Sequence, residues 1–231
     1  MAKIISIDGN IGSGKSTLLH KLKEYINKNA EGQQNVIDII KNKIIFLQEP
    51  VDQWLEIKDK NGKDVLTHFY ENPNKYSFAF QIMAYISRLS LLKKCISENP
   101  DAIIITERCL NTDRYVFAKM LYDDGKLDEI EYQIYLKWFN DFIDLITVQK
   151  TVYLKTCPVI CHERINKRRR DGEDNISIDY LENCHKYHQD MIEHMYGSDD
   201  NPNILIINSD IDFSKNSGIM DDWINQIFSF I

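Results

Sequence analysis

The sequence predicts an α/β fold: one domain spanning residues 1–231, with a five-stranded parallel sheet covered by helices on both faces. Three observations carry this reading. Apolar strand-like runs alternate with helical patterns along the chain. A glycine-rich loop, Gly9–Thr17, falls between the first strand and the first helix. Charged residues with no obvious place in a core cluster just after strand ends, on the edge where open parallel sheets bind ligands.

The elements follow in order. Lys3–Asp8, Lys43–Gln48, Ala102–Glu107, Thr151–Leu154 and Ile204–Asn208 read as strands. Helical periodicity runs over Lys15–Asn29, Lys75–Ser97, Asp128–Val148, Pro158–Arg169, Ser177–His194 and Gly218–Phe230. In the first helix Leu18, Leu19, Leu22, Tyr25 and Ile26 share one face. The Asp128–Val148 pattern is apolar over much of its circumference, through Tyr132, Ile134, Tyr135, Trp138, Phe139, Phe142 and Ile143. Core packing explains much of that surface, and a second subunit would cover the remainder.

Composition narrows the function. The chain has 231 residues, 43% of them hydrophobic, which supports one sizeable core. Its net charge of −7 argues against a general nucleic-acid binder. No apolar run approaches the roughly 18 residues of a membrane span. The chain enters its first strand by Lys3, which leaves no room for a leader peptide and makes the cytoplasm the expected compartment. Five cysteines need no disulfide there. Cys157, Cys161, His162, Cys184, His185 and His188 lack C-x-x-C spacing and fall in helical patterns, so buried or half-buried thiols are favoured over zinc ligands.

Gly9, Asn10, Ile11, Gly12, Ser13, Gly14, Lys15, Ser16 and Thr17 fit G-x-x-x-x-G-K-[ST], the phosphate-binding loop, in the strand–loop–helix setting it requires. Glycines let backbone N–H groups converge on phosphate oxygens, and the helix N-terminus adds partial positive charge. Lys15 is then expected on the β- and γ-phosphates of a nucleoside triphosphate, and Ser16 on Mg²⁺.

Three further clusters face that loop. Glu49 ends the second strand, where a carboxylate could accept a proton from an attacking hydroxyl or simply cap a loop. Pro50 disfavours a helix starting at Glu49 itself. Trp54 reads either as core or, on a loop beside the phosphate site, as a flank for a flat ligand. Glu107 and Arg108 end the third strand as an ion pair, or as a holder of Mg²⁺-bound water and a contact to phosphate or Glu49. Arg164, Lys167, Arg168, Arg169 and Arg170, followed by Asp171-Gly172-Glu173-Asp174, read as a mobile lid over about 164–176 or as a solvated helix face.

Together these strings resemble the deoxynucleoside kinase family, the group containing deoxycytidine, deoxyguanosine, mitochondrial thymidine and insect multisubstrate kinases. The matching strings run in order over nearly the whole chain: Gly9–Thr17, Glu49-Pro50-Val51-x-x-Trp54, Tyr70-Glu71-x-Pro73, Phe78-x-Phe80-Gln81, Glu107-Arg108, Asp113-Arg114-Tyr115-x-Phe117-Ala118, Arg168-x-Arg170-x-x-Glu173 and Tyr180-Leu181. The resemblance implies an ATP- or other NTP-dependent 5′-kinase with a P-loop kinase fold, an Arg-rich lid, Mg²⁺ and a homodimer through helices about 75–97 and 128–148. It implies Glu49 as general base beside Arg108, and Tyr70 with Glu173 on the 3′-hydroxyl. Gln81 would read the base edge, with Trp54 and Phe117 around the base. Arg164, Arg168 and Arg170 would serve as lid arginines, and Asp212 and Phe213 would contact the donor base.

Thymidine-accepting members tend to carry an apolar residue at the position of Arg88 and a small one at that of Asp113. The polar pair here resembles the deoxycytidine, deoxyguanosine and deoxyadenosine branch. Gly172 and Ser177 depart from the usual lid pattern. A nucleoside monophosphate kinase shares several strings, but Val51–Trp54 and Glu173 favour a nucleoside acceptor. A regulatory GTPase would carry N-K-x-D, and the nearest approach, Asn42-Lys43-Ile44-Ile45, enters a strand.

Overall fold

The computed structural model describes residues 2–29, 44–144, 146–170, 173, 176–197, 200–211 and 217–231. Five parallel strands form one sheet: β1 (Lys3–Gly9), β2 (Ile44–Leu47), β3 (Ile103–Glu107), β4 (Lys150–Lys155) and β5 (Ile204–Asn208). Their spatial order is β2-β3-β1-β4-β5. The central strand is buried on both faces, with Ile5 and Ile7 on one and Ile4, Ser6 and Asp8 on the other, as a sheet covered on both sides requires. The register aligns Ile7 with Glu107 and Leu47 with Thr106. Gly9, Glu49 and Arg108 therefore emerge on one edge.

Helices α1 (Lys15–Asn29) and α9 (Ser217–Phe230) cover one face, where Leu18, Leu22, Trp223, Ile224 and Ile227 pack against Ile5, Ile7 and Val152. The other face carries α4 (Pro73–Glu98) and α6 (Glu129–Ile143) around Tyr85, Leu92, Tyr135 and Phe139. Pro73 opens α4 at its first helical position, where a missing N–H costs nothing. Asp128 and Glu131 form a reciprocal capping box at the start of α6.

Several elements differ from the sequence expectation. Val51–Glu56 is a helix, α2, so Trp54 lies on a helix rather than a loop. Val65–Glu71 forms α3, capped by Asp64, which accepts from Thr67 N at 2.8 Å. Residues Leu110–Asp123 form α5, in which Asp113–Ala118 is a π-helical stretch. Both α2 and α3 are too short for a periodic pattern to register. Helix α6 ends at Ile143 rather than near 148. The remaining helices are α7 (Pro158–Arg168) and α8 (Ile178–Tyr196). Ser177, one of the lid departures, accepts from Tyr180 N at 3.2 Å and caps α8. Gly172, Asp212 and Phe213 lie outside the described residues.

Candidate active site

A cleft of about 900 Å³ opens at the carboxyl edge of β1, β2 and β3. Its floor is the glycine-rich loop. Gly9 and Gly12 adopt φ of +148° and +78°. A Cβ at Gly9 would meet Leu154 O at 2.7 Å, and one at Gly12 would meet Cys161 O at 2.5 Å. Only glycine fits either position. Asn10 donates from Nδ2 to Leu181 O at 2.8 Å, tying the loop to α8.

Lys15 is buried and donates to Gly9 O at 3.0 Å and Asn10 O at 2.7 Å. Burial, then the nearby charge of Arg108, pulls its pKa down to about 7. Ser16 Oγ donates to Glu107 Oε1 at 2.7 Å. This hydroxyl and carboxylate, at the N-terminus of α1, form an oxygen donor pair that fits a hard cation such as Mg²⁺. Among the described residues no group of three or more His, Cys, Asp or Glu side chains is placed to hold a metal ion.

Glu49 lies across from the loop, with its side chain 18% exposed. Arg88 Nη2 donates to Glu49 Oε1 at 2.9 Å, and Arg108 Nε approaches the same oxygen at 3.3 Å. Burial alone would raise the Glu49 pKa. The charges of Arg108, Arg88 and Lys15 outweigh it and hold the carboxyl at about 2. Arg108 has φ +64°, a left-handed conformation for a side-chain-bearing residue, and it donates from Nη1 to Gly9 O at 2.8 Å. Its guanidinium lies 4.9 Å from the Phe117 ring centroid.

Deeper in, Gln81, Ala84 and Arg88 occupy i, i+3 and i+7 of α4 and line one wall. Arg88 is 3% exposed. It donates from Nε to Asp113 Oδ2 at 2.9 Å and from Nη1 to Glu107 O at 3.0 Å. Burial opposes the Arg88 charge, and Asp113 and Glu49 more than restore it. Gln81 is buried, and its Oε1 has no protein partner among the described residues. Such an orphaned acceptor on a cleft wall is suited to a ligand donor. Phe117 and Trp54 also line the cleft. Trp54 serves the core as well: it meets Phe80 edge-on at 5.3 Å and donates to Ser87 Oγ at 2.9 Å.

The basic cluster splits into two groups. Arg164 donates to Ser13 O at 3.2 Å, Ser209 O at 2.9 Å and Ile211 O at 3.3 Å, so it braces backbone. Arg168 and Arg170 converge on buried Glu173, at 2.5 and 3.3 Å. Tyr70, half-buried, lines the same end of the cleft, and burial followed by the Glu173 charge raises its pKa.

Every sequence-predicted site residue within the described part, apart from the floor residues Gly9, Asn10 and Ser13, lines this cleft. The Arg88–Glu49 link was not anticipated, nor was His188, whose buried ring faces Arg108. His188 continues the apolar stripe Leu181, Cys184, Met191 and Ile192 of α8, a placement that marks it as buried from sequence alone.

Comparison with known proteins agrees with this geometry. The family model for deoxynucleoside kinase matches residues 5–231. The chain is 33% identical to a probable deoxycytidine kinase of Fowlpox virus (strain NVSL), covering 99% of this chain and 88% of that protein. It is 33% identical to deoxycytidine kinase 2 of Gallus gallus, covering 98% and 89% respectively. Identity to the mitochondrial deoxyguanosine kinase of Xenopus laevis is 27%, over 99% and 89%. The chain belongs to the deoxynucleoside kinase family.

Proposed function

We propose that this protein transfers the γ-phosphate of ATP, or of another nucleoside triphosphate, to the 5′-hydroxyl of a deoxynucleoside. Deoxyadenosine, deoxycytidine or deoxyguanosine is preferred over thymidine, and the role is nucleotide salvage. The observation that carries this reading is Glu49. It is a carboxylate held by two guanidinium groups at the mouth of a cleft whose floor is the Lys15 loop.

In this reading the donor phosphates take over the Lys15 ammonium from the carbonyls of Gly9 and Asn10. Ser16 and Glu107 would hold Mg²⁺, which would supply charge neutralisation on those phosphates. Glu49 orients the 5′-hydroxyl and accepts its proton. A carboxyl at about 2 is a weak base. Phosphoryl transfer passes through a loose transition state, so position counts for more than base strength. Arg108 steadies Glu49 and the transferring group. Tyr70 and Glu173 take the 3′-hydroxyl, while Gln81, Arg88 and Asp113 face the base between Trp54 and Phe117. Arg168 and Arg170 close on the phosphates, with Arg164 bracing the loop beneath. Asp212 and Phe213 are assigned to the donor base on the resemblance alone.

The reading includes a homodimer. On α4 and α6, Ile86, Ile134 and Trp138 are 42%, 42% and 46% exposed, and a shallow groove between them is lined by Leu89 and Phe142. It also includes a cytoplasmic location, which five unpaired thiols support. The proposal is tested by measuring ADP release with the four natural deoxynucleosides and with their monophosphates. Turnover with monophosphates alone would overturn it.

A further inference from the structure

His188 is fully buried on α8, and no step of the reaction just proposed uses it. Its Nδ1 lies 2.6 Å from Cys184 O. A carbonyl can only accept, so Nδ1 carries the proton and Nε2 presents its lone pair. Nε2 faces Arg108 Nη1 at 3.5 Å. The ring is fixed by its neighbours: Tyr153 stacks at 6.2 Å and 18°, and Phe117 meets it edge-on at 6.1 Å and 90°.

Arg108 needs such a partner. It bears two N–H groups on Nη1, and one is taken by Gly9 O at 2.8 Å. The other points to His188. Phe117 lies against the guanidinium plane and offers no acceptor. A protonated or tautomerically reversed His188 would set N–H against N–H. Burial and the Arg108 charge both oppose protonation.

We propose that His188 is a positioning residue: a neutral, tautomer-locked acceptor that aims Arg108 at Glu49 and the transferring phosphoryl group. The inference rests on the kinase reading above. It also gives α8 two holds on the site, through Leu181 O on Asn10 and through His188 on Arg108.

The test compares His188→Phe with His188→Gln. Phenylalanine keeps a ring between Tyr153 and Phe117 but removes the acceptor. Glutamine loses the ring but returns an acceptor near the place of Nε2. The expected result is that His188→Phe lowers kcat about 10- to 100-fold, the worth of a lost hydrogen bond to a charged group. Both KM values should move by less than about threefold, because Arg108 acts mainly in the transition state. His188→Gln should recover most of the loss. A Phe variant as active as the Gln variant would overturn the inference and leave only ring packing. Should the Phe variant not fold, His188→Asn replaces it, since its amide reaches only the Nδ1 place. Gln should then exceed Asn, and equal rates would overturn the inference. An inactive wild-type enzyme would instead remove the kinase reading.

Discussion

The Arg88 guanidinium donates from Nη2 to Glu49 Oε1 at 2.9 Å, so a residue of the inner cleft wall also grips the carboxylate beside the phosphate loop. Through Nε the same group holds Asp113 at 2.9 Å. On the proposed reading recognition and chemistry share this one buried cation, and substitutions at Arg88 should not separate cleanly into either.

Replacing Arg88→Met together with Asp113→Ala should raise thymidine activity relative to deoxycytidine. If Arg88 and Asp113 face the base as proposed, this polar wall should discriminate against the thymine methyl by about 1–3 kcal/mol, roughly 5- to 150-fold. Turnover should fall with every nucleoside, because Glu49 loses a partner. Arg88→Met alone should be worse, since it strands the Asp113 carboxylate in the interior. Steady-state kinetics on both substrates decide this, and an unchanged substrate order in the double variant refutes it.

For Glu49→Gln, kcat is expected to fall by roughly 10²–10⁴ with nucleoside binding retained. A stability effect should accompany it. The folded-state carboxyl lies at about 2, below its ordinary value of 4.5, so its ionised form stabilises the fold above pH 4.5. That contribution is lost as pH falls toward 2. The melting-temperature gap between wild type and Glu49→Gln should therefore be present at pH 6 and shrink in acid. A constant gap would mean the charge is not the cause.

Lys15, whose pKa burial and Arg108 pull down to about 7, should be held protonated by bound donor phosphates. Donor binding should take up more protons at pH 8 than at pH 6. Calorimetry in buffers of different ionisation enthalpy measures this directly. Lys15→Ala should abolish the uptake and lower transfer to all acceptors alike. Uptake that persists in that variant would place the titrating group elsewhere.

Placing charge on the exposed apolar face, as in Trp138→Glu with Ile86→Glu, should convert a dimer to a monomer in sedimentation. Both side chains are more than two-fifths exposed, so the fold itself should be little affected. A variant that stays dimeric would move the interface away from α4 and α6.

The strands and the long helices were legible because each carries a periodic apolar pattern long enough to count. Ile4, Ile5 and Ile7 announce a strand buried on both faces, and Leu18, Leu22 and Ile26 announce a helix. The short helices α2 and α3 were not legible: one or two turns do not establish a period. The early end of α6 was hidden because Ile146 and Val148 continue its apolar pattern past Ile143 while packing outside the helix. Within the site, residue types at strand ends pointed to the cleft. Pairings across elements did not show, because Arg88 to Glu49 and His188 to Arg108 depend on how α4 and α8 are rotated against the sheet.

The π-helical stretch Asp113–Ala118 closes a wider ring than the turns around it, with Lys119 N bonding back to Arg114 O. Such a stretch amounts to one surplus residue in an otherwise regular helix. Asp113 and Phe117, both facing the cleft, lie within it. Losing one residue there would let α5 relax to ordinary winding; the turns after Ala118 would keep their facing, because the wide turn absorbs the surplus residue, and the change would fall on the wall between Asp113 and Phe117. The shape of this wall is therefore encoded partly in chain length. A one-residue deletion would redraw the pocket more sharply than most exchanges of side chain, and Leu110–Thr112 would stay where it is.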